Sequence, residues 1–177
     1  MAQIAYSPLD IVLSDDCVQL FVCPGRQYYV DTVLYVRHAD GCFPDDSWVD
    51  SVNIVLEKWE HTLLSHVGDK TAVYDLPFFD QNCFKMRVKQ NGDRLTVEGV
   101  DRLNPYGPVT VFTLECTVQD MLRAMLDAYK QYGKIVYTAD CFQREPEIQR
   151  ELLRIISRGR GRIRQALRGC EGTDMKE

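Results

Sequence analysis

The Asn91-Gly92 pair constrains this chain more than any other short stretch. A two-residue hairpin turn needs positive φ at its centre, and Asn-Gly adopts that conformation at low cost. Folding about it sets Val88 opposite Leu95, Met86 opposite Val97 and Lys85 opposite Glu98, which leaves one face apolar and the other charged. Residues 109–115 follow as a third run rich in Val, Thr and Phe. Thr117 then opens a helix, with Asp120 three positions on completing a capping box. Val118, Met121, Leu122, Met125, Leu126, Tyr129 and Tyr132 recur at helical spacing, and Gly133 stands where such a helix stops. A sheet with one apolar face leading into a helix with one apolar stripe predicts an α+β fold. In that fold Met86, Val88, Leu95 and Val97 lie beneath the helix near residues 117–132.

The flanking stretches extend the same plan. Residues 9–13 and 18–23 are short apolar runs separated by Ser14-Asp15-Asp16, which reads as strand, turn and strand. Pro24-Gly25 turns the chain into a long β-prone run over 28–37, and a loop rich in turn residues follows at 40–46. In 48–67 Val52, Ile54 and Leu56 alternate as in a strand, whereas Trp48, Val52, Leu56, Trp59 and Leu63 fit a helical stripe; the β-branched run 52–55 favours a strand to about Glu57, then a short helix over 59–66. Residues 73–79 are extended, and Pro77 places them at a sheet edge or a bulge and not in a central strand. Residues 134–137 form a short strand or loop. A second helix over 144–157 has Pro146 in its first turn and an apolar stripe of Ile148, Leu152, Ile155 and Ile156. Gly159 and Gly161 then break it before a last turn at 163–167. The expectation is a mainly antiparallel sheet of about six strands packed on the 117–132 helix, with a further C-terminal helix. Residues 1–168 form one domain and 169–177 a disordered tail.

With 177 residues, 45% of them apolar and 27% charged, the chain has the balance of a globular domain. No apolar run approaches the roughly 20 residues that span a bilayer, and the N-terminus lacks the basic and apolar regions of a signal peptide. The expected compartment is the cytoplasm. The seven cysteines are an odd number with no C-x-x-C pair, so reduced, mostly buried thiols are expected. His38, His61 and His66 supply no metal spacing, and neither metal nor cofactor is expected. There is no G-x-S-x-G elbow, Walker loop or dinucleotide fingerprint. The sequence therefore argues against an enzyme.

Charge is unevenly spread. Residues 1–143 carry 12 Lys/Arg against 20 Asp/Glu, whereas 144–168 carry 8 Arg against 3 Glu. The basic arm, centred on Arg158-Gly159-Arg160-Gly161-Arg162, is a solvated helix face, a segment docked on the acidic body, or a phosphate-binding element. No aromatic residue lies beyond Phe142 to stack on bases, which argues against nucleic acid as partner. The acidic counterpart is the stretch from Asp45 to Glu60, where Asp45, Asp46, Asp50, Glu57 and Glu60 face Lys58 as the sole base. Trp48 within it is either an interface anchor or a core residue, and Trp59 reads as core.

The order Asp45-Asp46-x-Trp48, then Val52, Ile54, Leu56 and Trp59 as V-x-I-x-L-x-x-W, then Asp75-Leu76-Pro77-Phe78-Phe79, the hairpin and the strand–helix ending resembles a known group. It is similar to the small cytosolic immunity proteins of bacterial polymorphic toxin systems, such as contact-dependent inhibition and type VI secretion, over roughly residues 17–132. The resemblance implies a binding protein without catalysis that neutralises a cognate toxin, for instance a nuclease with a basic groove, by covering an essential surface. Asp45, Asp46, Trp48, Asp50, Glu57 and Glu60 are the expected partner-binding residues. A chaperone or adaptor for a secreted effector has the same size, acidity and fold class, and a nucleic-acid-binding regulator using the arginine arm is a third reading.

Overall fold

The computed structural model describes residues 8–25, 27–79 and 83–171. The class is α+β, as the pattern predicts, but the described residues form eight strands that divide over two antiparallel sheets. The first sheet holds β1 (Leu9–Val22), β2 (Tyr28–His38), β3 (Gly41–Phe43) and β4 (Val49–Ser51). β2 is its spine, with β1 on one side and the two short strands on the other. The second sheet is a meander of β5 (Thr71–Pro77), β6 (Phe84–Asn91), β7 (Arg94–Asp101) and β8 (Val109–Thr117). Among the described residues four helices complete the fold: α1 (Val52–His66), α2 (Val118–Thr138), α3 (Asp140–Gln143) and α4 (Pro146–Glu171).

The central hairpin closes one residue later than the sequence reading places it. Val88 pairs with Val97, Gln90 with Leu95 and Arg87 with Glu98, so the turn is Gly92-Asp93. Tertiary bonds hold it there: the Gly92 N–H donates to Lys70 O at 2.7 Å, and Asp93 O accepts from the Val118 N–H at 2.8 Å. Moving a turn by one residue moves each partner by two, so every side chain keeps its face. Met86, Val88, Leu95 and Val97 are all buried, as that alternation requires. The opposite face carries Lys85, Arg87, Asp75, Lys89 and Glu98 in cross-strand ion pairs.

Other boundaries move for the same kind of reason. Residues 9–22 are one strand with an irregular stretch between Ser14 and Gln19, not two strands and a turn. The β-branched run at 52–55 is helix: Val52, Val55, Leu56, Trp59 and Leu63 fall on one face of α1 and are all buried. Burial of that stripe outweighs the modest strand preference of valine and isoleucine. α2 begins with the Thr117–Asp120 capping box but runs past Gly133 to Thr138, carrying Ile135 and Val136 into the core against α4. α4 is likewise unbroken through Gly159 and Gly161 and includes residues 169–171, which the sequence reading assigns to a tail; 172–177 lie outside the described residues. Pro77 does end an edge strand, as predicted.

The two sheets and three long helices share one connected hydrophobic core. Aromatic rings bridge its parts. Phe43 of β3 meets Phe78, Phe84 and Phe112 edge-on at 5.8, 5.7 and 5.3 Å, and Trp59 of α1 meets Phe78 at 5.1 Å. The Trp59 indole N–H donates to Pro77 O at 2.6 Å, so this tryptophan is core, as its apolar neighbours predict. Of the cysteines only Cys116 is buried; the other six are half-buried, fewer buried thiols than expected.

Leu122 is fully enclosed, whereas Leu126 is only partly covered. Leu122→Ala is therefore expected to cost about 2–5 kcal/mol in urea unfolding, the usual range for an enclosed leucine, and Leu126→Ala distinctly less. Equal losses for the two variants would contradict this placement of α2.

Candidate functional site

The acidic loop between β3 and β4 is closed by its own side chains. Asp45 Oδ1 accepts from the Ser47 N–H at 2.9 Å and from its hydroxyl at 2.6 Å, and Asp45 and Asp46 both face solvent. Trp48 is half-buried, edge-on to Phe84 at 4.9 Å, with its indole N–H donating to Asp50 Oδ2 at 3.1 Å. Asp50 is buried, and also accepts from the backbone N–H groups of Phe79 at 3.1 Å and Ser51 at 2.8 Å. Burial raises its pKa above the ordinary carboxylate value, and the hydrogen bonds restrain that rise. Asp50 is thus a bracket that holds Trp48 and the start of the 79–83 connection. Its carboxylate is buried in the framework and is not part of the exposed surface.

The outward face of the first sheet runs alongside this loop. Val30, Thr32, Leu34 and Val36 of β2 point into the core, so Tyr29, Asp31, Val33 and Tyr35 point outward. Phe21 stands opposite Tyr29, and the Tyr29 ring meets Phe79 edge-on at 6.0 Å. Val49 stands opposite Val33, and Val12 opposite Tyr35. Phe21, Phe79 and Val49 are 48%, 49% and 42% exposed, large values for side chains of this kind on one sheet face. Val49 directly follows Trp48 in the chain, so an apolar strip adjoins the exposed carboxylates Asp45 and Asp46. The sequence reading names the acids but not Phe21, Tyr29 or Phe79. Alternation along 28–37 carries the signal for Tyr29, whereas the partnership with Phe79 needs the second sheet in place.

Glu60 is 2% exposed and lies elsewhere, where α1, α2 and α4 meet. The Tyr129 hydroxyl donates to its Oε2 at 2.5 Å, and Arg162 Nε donates to its Oε1 at 2.5 Å. Burial first, and the Glu60 hydrogen bond second, keep the Tyr129 hydroxyl protonated well above its usual range. Like Asp50, Glu60 is occupied inside the protein and unavailable to a partner. Glu57, one turn earlier, is exposed, but on the wall of a cleft with Tyr28, Asn53 and Tyr132 and not on the Asp45 loop. Of the six expected partner-binding residues, Asp45, Asp46 and the rim of Trp48 share one surface. Glu57 faces another.

The arginine arm is docked through an apolar stripe of Leu152, Ile156 and Ile163, with Arg162 bound to Glu60. Seven of its eight arginines are exposed, and Arg160 is half-buried. The arm is thus at once a solvated face and a docked helix. Comparison with known proteins yields no match: no family model, curated protein or solved structure is significantly similar to this chain.

Gly159 has no room for a side chain, since a Cβ there would stand 2.8 Å from Tyr129 Cζ and 2.9 Å from Glu60 Oε2. Gly161 has nothing within 4 Å of the same position. Alanine at the two sites should therefore act with opposite signs. Gly161→Ala should stabilise by about 0.5–1 kcal/mol through helix propensity, and Gly159→Ala should destabilise by about 1–3 kcal/mol through overpacking. Thermal or urea unfolding of the two variants decides this.

Proposed function

We propose that this chain is a non-catalytic binding protein that neutralises a cognate protein toxin by forming a direct complex with it. The observation that carries the reading is the strip of exposed Phe21, Phe79 and Val49 with half-buried Tyr29, near the carboxylates Asp45 and Asp46. Exposed aromatic side chains grouped at a sheet face are the apolar centre that a protein interface needs, because water leaves both surfaces when they meet. Carboxylates at the edge speed encounter with a basic groove and select against acidic partners. The acidic balance of residues 1–143 agrees with a basic partner, and the resemblance to immunity proteins gives the class.

The test uses any toxin module that the neighbouring genes encode. Co-expression of the chain should rescue growth of cells producing that module, and the purified pair should form a stable complex with the toxin inhibited. Phe79→Ser combined with Asp45→Lys and Asp46→Lys should abolish rescue and weaken binding by at least tenfold. The fold should be kept, since these side chains are exposed. Restoring the two aspartates alone should recover association rate more than dissociation rate, as charge at an interface edge acts on encounter. Binding only to an unfolded client, with no inhibition of a folded toxin, would instead identify a secretion chaperone and overturn the reading.

A further inference from the structure

α1, α2 and α4 converge beside the start of β2 and leave a cleft of about 280 Å³. Its walls are the side chains of Tyr28, Tyr129 and Tyr132 with Leu152 and Ile155, and Glu57 stands at its edge. Tyr132 is 2% exposed, and its hydroxyl has no hydrogen-bond partner among the described residues. The other polar groups of the cleft are occupied. Asn53 bonds the β2 backbone, donating to Tyr28 O and accepting from the Val30 N–H, and the Tyr129 hydroxyl is held by Glu60. What remains are the buried Tyr132 oxygen and, at the exposed edge, the Glu57 carboxylate and the Gln27 amide.

The charges that face this cleft are mostly acidic. Glu57 and Glu151 both act on Tyr28, and Glu60 beneath is neutralised by Arg162. Lys58 lines the neighbouring hollow on the other side of Glu57, and Arg150, Arg154 and Arg158 line a third hollow with Glu147 and Glu151. An anion would meet net negative charge here, and a purely apolar ligand would leave the hydroxyl and the carboxylate unmatched.

We infer that the cleft receives a guanidinium group, stacked on the tyrosine rings, paired with Glu57 and donating an N–H to the Tyr132 hydroxyl. Guanidinium is flat, weakly hydrated and rich in N–H donors, and aromatic faces attract it electrostatically. The Tyr132 oxygen is covered in the free protein, so the ligand reaches it as side chains lining the cleft move aside. This inference stands apart from the toxin reading, because it rests on a different surface. The same chemistry reaches the cleft as a small molecule or as an arginine side chain of another protein.

Both sources are tested on the full chain carrying isotope-labelled tyrosine rings, by titration with butylguanidine and with a blocked arginine tripeptide. Butylurea and the matching citrulline tripeptide are the uncharged controls. The guanidinium compounds should shift the ring resonances of Tyr28 and Tyr132, and the urea compounds should not. Response to butylguanidine assigns a small-molecule source, and response to the peptide alone assigns a protein arginine. Glu57→Gln should weaken binding roughly tenfold, the scale of one charge-assisted hydrogen bond. Tyr132→Phe should weaken binding several-fold yet raise the melting temperature of the free protein, because it removes a buried hydroxyl that has no partner. That pairing separates a lost ligand contact from a damaged fold. Silence of both rings towards every guanidinium compound, or an equal response to the urea controls, overturns the assignment.

Discussion

The buried Glu60 carboxylate is the constraint on which the helical half of the molecule depends. A charge withdrawn from water is tolerated only where partners replace its hydration. Here one partner comes from α2 and the other from α4, so the carboxylate ties three helices at one point. The tie dictates how near α4 must come, and that nearness excludes a side chain at Gly159. It also positions Tyr129, and with it a wall of the cleft that Tyr132 and Glu57 share.

A second constraint acts on the sheets. Backbone groups along a strand edge need partners wherever they are withdrawn from water. β1 and β2 both run beyond the strands available to pair with them, and helix side chains take over. Gln131 of α2 donates to Ile11 O and accepts from the Leu13 N–H, and Asn53 of α1 does the same for Tyr28 O and the Val30 N–H. Each amide imitates one residue of a neighbouring strand. These contacts dock the helices in a single register on the sheet, which apolar packing alone does not specify. On the other side of the core, the rings around Phe43 join the two sheets.

Between them these devices leave two chemically different surfaces. The outward face of the first sheet carries a strip of apolar and aromatic side chains, near the exposed carboxylates of the β3–β4 loop. The helical cleft is small, lined by tyrosine and acidic at its edge. A flat apolar strip suits a protein surface, because many weak contacts form only over a broad area. A narrow cleft with one unmatched hydroxyl and one carboxylate suits a single cationic group. Asp50 and Glu60 look like members of an acidic surface in the chain, yet each is spent on holding its own framework.

What the sequence determined by itself was periodicity: an α+β class, the inward side of the hairpin strands, the capped start of α2, the edge position of Pro77 and the core placement of Trp59. These depend on local rules of alternation, capping and turn geometry, which a few neighbouring residues satisfy or fail. Boundaries and charge roles were decided only by the tertiary structure. Val52 to Val55 became helix because one face of α1 is buried. α2 and α4 passed through Gly133, Gly159 and Gly161 because each packs on the other, which offsets the glycine cost. Glu60 changed from a candidate contact into a buried tie because Tyr129 and Arg162, far along the chain, come together around it. No local pattern marks such a residue, since its environment is built by elements distant in sequence that meet only when the core closes.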